Sequence, residues 1–463
     1  MRQGIIAAVS TPPGKGGVAI IRMSGDGALA LADKLFLPKS RRPLSSYEPR
    51  RQIYGYIKDG DEIIDDGLAT YFPKSSSYTG EETVEFSIHG GIMVTRRVLE
   101  FLFESGAIPA EAGEFTRLAF INGRISLTEA EAIGDLLEAK SEEQLRLFSD
   151  GSRSRLRKRI DAIREQLTHL LGSVYARIDY PEEDLGELSD EQILIELTKI
   201  KESLAALIST YRTGRAIKDG ISAALVGKPN AGKSTLYNLL VGEDAAIVTD
   251  IPGTTRDVLV REVPVGRVML RLYDTAGVRV AGVTDEVERI GISRTLEELS
   301  RSELAIVLFD VSRPLDAEDE EIISAVRERR GASVALLTKC DIRDDSASFG
   351  AIYDNFDTVL EISSKENPEG TLKLISETVE RLFTDEKIST SADAIVASAR
   401  QHSALCSALG AVESAITAYR LGIPADAASS DIELALAKIG EVDGRAVSSE
   451  IVSDIFSRFC VGK

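Results

Sequence analysis

Eight consecutive residues constrain this chain more than any other stretch: Gly227-Lys228-Pro229-Asn230-Ala231-Gly232-Lys233-Ser234. The pattern G-x-x-x-x-G-K-[ST] needs a strand before it and a helix after it. Its backbone N–H groups must curl around phosphate oxygens at a helix N-terminus. The flanks comply, with an apolar β-rich run over 221–226 and a helical pattern after Ser234. Ala231, Gly232 and Thr235 contribute loop backbone and the first helical turn. Lys233 is placed to put its positive charge on β- and γ-phosphates, and the Ser234 hydroxyl to meet Mg²⁺.

Further motifs follow in a fixed order. Asp274-Thr275-Ala276-Gly277 ends the strand pattern over 268–273, where an aspartate can hold Mg²⁺ through water and a glycine can meet a γ-phosphate. Thr338-Lys339-Cys340-Asp341 ends another strand pattern. The carboxylate of Asp341 can accept both N1–H and N2–H of guanine, a donor pair that adenine lacks, so the pattern selects GTP over ATP. Thr338 stands where many GTPases carry Asn, and its shorter side chain predicts weaker packing beside the base. Ser363-Ser364-Lys365, after a strand over 358–362, completes the expected base pocket. Thr249-Asp250-Ile251-Pro252-Gly253-Thr254-Thr255-Arg256-Asp257 occupies the place of a first switch loop, with Thr255 as the second protein ligand expected for Mg²⁺.

Two absences shape the expected chemistry. Val278 follows Gly277 where Ras-like enzymes orient water with Gln, and an apolar side chain cannot do that. Glu288 is the acidic alternative. There is also no evident arginine finger, and Asn230 suggests a substitute: Asn here helps a subclass of GTPases hold K⁺, which neutralises developing charge.

The strand runs over 221–226, 268–273, 304–310, 334–338 and 358–362 alternate with helical stretches, which predicts a doubly wound parallel sheet with helices on both faces. Residues 1–118 mix strand patterns (4–9, 18–22, 68–72, 83–88) with a helix over 92–104 and read as a small α+β domain. Residues 119–217 and 383–463 are helical, so the α/β domain over 218–382 reads as an insertion into one helical domain. At 463 residues the chain has room for about three domains. Its net charge of −19 argues against gripping nucleic acid by bulk electrostatics. Three scattered cysteines predict neither a disulfide framework nor a zinc site. No apolar run reaches the ~20 residues of a membrane span, and Met1-Arg2-Gln3-Gly4 does not open like a signal peptide. The expectation is a cytoplasmic protein.

These motifs, together with Thr11-Pro12-Pro13-Gly14-Lys15-Gly16-Gly17-Val18, Tyr78-Thr79-Gly80-Glu81, His89-Gly90-Gly91, Gly113-Glu114-Phe115-Thr116, Asn122-Gly123-Arg124, Asp285 to Ile292 and the ending Phe459-Cys460-Val461-Gly462-Lys463, resemble the bacterial tRNA-modification GTPase MnmE (TrmE) family over essentially the whole chain. The resemblance implies an N-terminal domain that dimerises and binds 5-formyl-tetrahydrofolate. It also implies a K⁺-dependent GTPase driven by approach of G domains across a homodimer. An FAD-dependent partner of the MnmG type, joined in a heterotetramer, works with the family in 5-carboxymethylaminomethyl-type modification of the tRNA wobble uridine. Carried over by position, Asn230, Thr249, Ile251 and Thr254 would surround K⁺, while Ser234 and Thr255 would hold Mg²⁺. Glu288 would orient the attacking water, its register resting on the downstream motif because the segment after Gly277 is long and carries Val280. Arg22, Glu85, Arg124 and Lys463 fall at the folate positions, and Cys460 matches the cysteine of the family's ending. With the acidic balance, tRNA is expected to be held mainly through the partner. A ribosome-assembly or regulatory GTPase acting as a nucleotide switch is the alternative reading of the G motifs alone.

Weaker signals take blander readings. Pro13-Gly14-Lys15-Gly16-Gly17 lacks a G-K-[ST] ending and reads as a turn between strands. Cys460 is fourth from the end, but Gly462 and Lys463 do not suit prenylation, so no membrane anchor is expected. Arg153, Arg155, Arg157, Lys158, Arg159 and Arg164 form a basic cluster that could meet tRNA phosphates but reads better as a solvated helix face. His89 reads as a structural residue.

Overall fold

A computed structural model describes residues 4–60, 62–179, 188–242, 260–273, 299–344 and 348–463. The chain divides into two compact units, Met1–Glu138 with Ser430–Lys463, and Ala139–Ser429.

The first unit is built on seven strands: β1 (Ile6–Val9), β2 (Gly16–Ser24), β3 (Phe36–Pro38), β4 (Gln52–Asp59), β5 (Glu62–Phe72), β6 (Thr83–Gly90) and β7 (Ile108–Pro109), in the order β3-β4-β5-β6-β2-β1-β7. Pro13, Gly14 and Lys15 lie in the turn between β1 and β2, which pair antiparallel, and Gly16 and Gly17 open β2. Strand alternation sends successive side chains to opposite faces. Ile21, Met23, Phe86 and Ile88 therefore pack beneath the sheet with Val98 and Leu102 of the Ile92–Glu104 helix. Ala8 turns the other way, onto Phe115 of the Glu114–Ile121 helix. Arg22 and Glu85 face each other directly across β2 and β6. The last residues of the chain join this unit: Val461 bridges Ala112, and Phe456 packs with Leu127 and Val452.

The second unit carries six strands: β8 (Ile221–Gly227), β9 (Val260–Val265), β10 (Val268–Tyr273), β11 (Leu304–Asp310), β12 (Ala332–Thr338) and β13 (Thr358–Glu361), in the order β13-β12-β11-β8-β10-β9. The inner strands read as unbroken apolar runs because both faces are covered. Leu225, Ile306 and Leu336 pack on one side, and Val226, Val307 and Leu337 on the other. The sheet is parallel except at its edge, where β9 runs antiparallel to β10 around Gly266. The sequence pattern does not reveal β9, because Pro264 interrupts it. Strand order reverses around β8, so a crevice forms outside the carboxyl ends of β8 and β11.

Helices Asp150–Asp179, Asp190–Ser209 and Ala399–Arg420 pack together in the same unit, the second opened by a capping box of Ser189 and Gln192. The Tyr211–Lys218 helix leads into β8 and carries Gly214 against the Val396 carbonyl, where an added Cβ would sit 2.1 Å from the oxygen. Gly→Ala inside a helix ordinarily stabilises by about 1 kcal/mol. Here the sign should reverse: Gly214→Ala should destabilise this unit by about 2–4 kcal/mol through overpacking. A lowered urea midpoint at unchanged slope would show it, and a raised midpoint would refute the packing argument.

Candidate functional site

The phosphate loop leaves β8 at Gly227 and enters the Lys233–Val241 helix through Gly232. Asn230 holds a left-handed φ of 65°, rare for a residue with a Cβ. That strain lies at the exposed tip of the loop, where the side-chain carboxamide is open to a ligand. Ala231 is buried beneath the loop, while Ser234 and Thr235 are exposed on the first turn of the helix. The Lys233 ammonium folds back over the loop and donates to the carbonyls of Gly227 (2.5 Å) and Lys228 (2.8 Å). Burial holds it below the ordinary lysine value. A desolvated cation at a helix N-terminus is prepared for an anion. The loop is braced from outside by Lys228, whose ammonium meets Asp316 at 2.5 Å and Glu318 at 2.8 Å.

The base segment leaves β12 beside the loop. Thr338 is buried, and its hydroxyl lies within donating distance of the Ala231 carbonyl (2.9 Å) and the Phe309 carbonyl (3.1 Å). The short side chain expected to weaken base-side packing thus reaches the phosphate loop itself. Lys339 adopts φ 60° and pairs its ammonium with Asp310. Burial works to raise the Asp310 carboxyl, but the Lys339 ammonium and the donors of Ser312 outweigh it and hold it below the usual carboxylate value. Asp341 is exposed. Ser363 and Ser364 are half-buried and Lys365 exposed after β13, with the Asn367 N–H donating to the Ser363 carbonyl (2.9 Å). Thr249, Ile251, Thr254, Thr255, Asp274, Thr275, Ala276, Gly277, Val278 and Glu288 lie outside the described residues. Among the described donors, the Asn230 carboxamide and the Ser234 hydroxyl are oxygen ligands suited to hard cations such as K⁺ and Mg²⁺.

A second constellation lies in the first unit. The Arg22 guanidinium pairs with Glu85 at 2.8 Å and stands over the rings of Phe115 (5.5 Å) and Tyr78 (5.9 Å). Lys463 reaches the same place through its backbone, its carbonyl accepting the Phe115 N–H at 3.1 Å. The docking is continued by Ser10, whose hydroxyl donates to the Gly462 carbonyl (2.9 Å), and by the Gly113 N–H on the Cys460 carbonyl (3.3 Å). Cys460 itself is exposed. Arg124 is committed to the Lys74 carbonyl, in the loop that carries Tyr78. A planar polar ligand fits such a set: aromatic faces to lie against, a guanidinium to donate hydrogen bonds and a carboxylate to accept them. Tyr78 and Phe115 were recognisable in sequence as motif members, but their stacking on Arg22 was not. Nearby, an open cleft of about 690 Å³ is lined by Val9, Pro12, Val18, Ile92, Leu99 and Val461.

The remaining sequence signals settle locally. Arg155 donates to the carbonyls of Asp393 (3.0 Å) and Thr390 (2.7 Å), Arg153 pairs with Asp150, and Arg157 and Arg164 pair with Asp161. Most of the basic cluster is thus committed within the molecule. His89 meets Asp65 at 2.7 Å with Asp66 beside it. The Asp65 carboxylate raises the proton affinity of the ring, and this ion pair accounts for the cluster.

Comparison with known proteins matches family models over both parts of the chain. Residues 127–460 match the MnmE helical domain family, and residues 5–124 match the family described as the GTP-binding protein TrmE N-terminus. The chain belongs to the MnmE family. The tRNA modification GTPase MnmE of Thermotoga sp. (strain RQ2) is 39% identical over 99% of both chains, and that of Carboxydothermus hydrogenoformans is 36% identical over 100% of both. A solved structure of an Aquifex aeolicus Era variant bound to GDP.AlF4- is 20% identical over 41% of this chain and 66% of its own. Its TM-score of 0.27 is too low to bear on the argument. Family membership makes this protein a tRNA modification GTPase, a GTP hydrolase of MnmE type. No helix among the described residues is long and apolar enough to cross a membrane.

Proposed function

We propose that this member of the MnmE family is a K⁺-dependent GTPase of the cytoplasm that acts, with an FAD-dependent partner of the MnmG type, in 5-carboxymethylaminomethyl-type modification of the tRNA wobble uridine. The observation that carries this reading is similarity to MnmE relatives across 99% of the chain, ends included. The G domain over 218–382 interrupts a helical domain formed by 119–217 and 383–463, and residues 1–118 form the folate-binding domain. Asn230, Thr249, Ile251 and Thr254 hold K⁺, and Ser234 and Thr255 hold Mg²⁺. Asp274 to Gly277 follow the γ-phosphate, while Thr338, Lys339, Asp341 and Ser363 to Lys365 serve the base. Glu288 orients the water. The K⁺ supplies positive charge where phosphoryl transfer builds negative charge.

Arg22, Glu85, Arg124 and Lys463 hold 5-formyl-tetrahydrofolate, a reading supported by the aromatic seat under Arg22. The chain works as a homodimer and, with its partner, as a heterotetramer. Exposure of Val18, Ile92 and Met93 (60%, 64% and 71%) beside the cleft supports a dimer face in the first unit. With a net charge of −19, tRNA is held mainly by the partner.

The test is GTP turnover by the purified chain in KCl against NaCl at equal ionic strength. K⁺ should raise kcat by about tenfold or more, as expected for a charge supplied at the transition state. Equal rates would remove the K⁺ mechanism. Wobble uridines left unchanged in a strain lacking the protein would remove the pathway.

A further inference from the structure

We propose that Asp310, which belongs to none of the nucleotide motifs, is a positioning residue for guanine recognition that acts through Lys339. This inference rests on the reading of the nucleotide site above. β11 lies between β8 and β12, so its last residue stands between the strand feeding the phosphate loop and the strand feeding the base segment. Asp310 is that residue, 9% exposed.

Its two carboxylate oxygens have separate duties. Oδ1 accepts the Ser312 N–H at 3.0 Å and the Ser312 hydroxyl at 2.6 Å. This pair fixes the carboxylate plane and turns Oδ2 toward Lys339, whose ammonium donates to it. The strands are also tied by backbone, with the Val311 N–H on the Thr338 carbonyl at 3.1 Å. The aspartate is therefore a rigid acceptor on a rigid element.

Lys339 needs such a partner. Its backbone sits in the left-handed region at φ 60°, an unfavourable arrangement for a residue with a Cβ. A lysine side chain also has much rotamer entropy to lose on being ordered. The ion pair with Asp310 anchors the far end of the side chain and so limits where its apolar stem can lie. It also keeps the ammonium off the exposed carboxylate of Asp341, which must remain open to the donors of guanine. The side-chain partners of Asp310 are Ser312 and Lys339, so its influence on a bound base passes through Lys339. It sets the wall against which the base lies, while Asp341 sets which base is accepted.

The experiment uses the full-length chain, with methylanthraniloyl-GDP as the fluorescent probe and steady-state GTP hydrolysis as the second readout. Asp310→Asn keeps the shape and the Ser312 contacts but removes the charge. The dissociation constant for the probe and KM for GTP should rise about tenfold, with kcat and Tm nearly unchanged. Lys339→Ala should give a comparable rise, and the double variant no further rise, because both changes remove one interaction. Losses that add to about a hundredfold in the double variant would overturn the proposal, as would an unchanged dissociation constant in Asp310→Asn or a fall in kcat alone. Should Asp310→Asn not fold, Ser312→Ala removes the hydroxyl that donates to the same carboxylate, leaving only the backbone N–H, and should raise the dissociation constant a few-fold; no change would overturn the proposal. Failure of the unmodified chain to bind the probe would instead remove the nucleotide-site reading, and the proposal with it.

Discussion

Replacing Lys233 by alanine should lower kcat/KM for GTP by about 10³-fold or more, the scale seen when a preorganised charge at a transferring group is removed. The magnitude follows from the environment of the ammonium. It is half-buried, burial lowers its pKa, and its hydrogen bonds go to two loop carbonyls, Gly227 and Lys228, not to a carboxylate. A cation held this way has already given up much of its hydration, so a phosphate gains its full attraction. Lys228 behaves oppositely: it is neutralised by Asp316 and Glu318, and Lys228→Ala should disturb the loop without removing phosphate charge. Steady-state hydrolysis at GTP concentrations well below KM, which reads kcat/KM directly, separates the two variants. A Lys233→Ala protein within tenfold of the unmodified rate would refute the assignment.

The phosphate loop was legible in sequence because sterics and phosphate geometry fix its spacing, and the glycines at its two ends have no substitute: Gly227 and Gly232 hold φ of 151° and 103°. Asp310 was not legible. A single aspartate at a strand end has no spacing to recognise, and its partner Lys339 lies 29 residues downstream. Thr338 shows a third case. Its identity was noticed, but the effect expected of it was local, whereas its hydroxyl acts 107 residues away on the Ala231 carbonyl. The arginines of the Asp150–Asp179 helix were ambiguous for the same reason, since the partners of Arg155 lie 238 and 235 residues downstream. Spacing within one element reads well from sequence. Pairings closed by the fold do not.

Gly462→Ala should lower affinity for 5-formyl-tetrahydrofolate by about 100-fold while leaving KM for GTP unchanged. Gly462 holds φ 96°, and a Cβ there would lie 2.1 Å from the Val9 carbonyl oxygen, a backbone atom that cannot rotate away. The left-handed conformation alone costs an alanine about 1–2 kcal/mol, and the overlap adds a comparable amount. At 1.4 kcal/mol per tenfold, the sum gives two decades. The loss reaches the proposed folate positions because Gly462 is held by Ser10 and flanked by Val461 on Ala112 and Lys463 on Phe115, the residue beneath Arg22. Calorimetry on the full chain, with Arg22→Ala as the reference for complete loss, decides it. Unchanged affinity would show that docking of this segment does not shape the site.

The same docking sets a timetable. Ser10 receives the Gly462 carbonyl from 452 residues further along the chain. At 5–20 residues per second, a ribosome delivers that partner roughly 20–90 s after Ser10 itself. The unit begun first in synthesis is thus completed last, after every strand of the nucleotide-binding sheet has been made. A nascent chain still lacking residues 460–463 would hold every strand of the nucleotide-binding sheet while Phe115, the residue beneath Arg22, still waits for its contact with the Lys463 carbonyl.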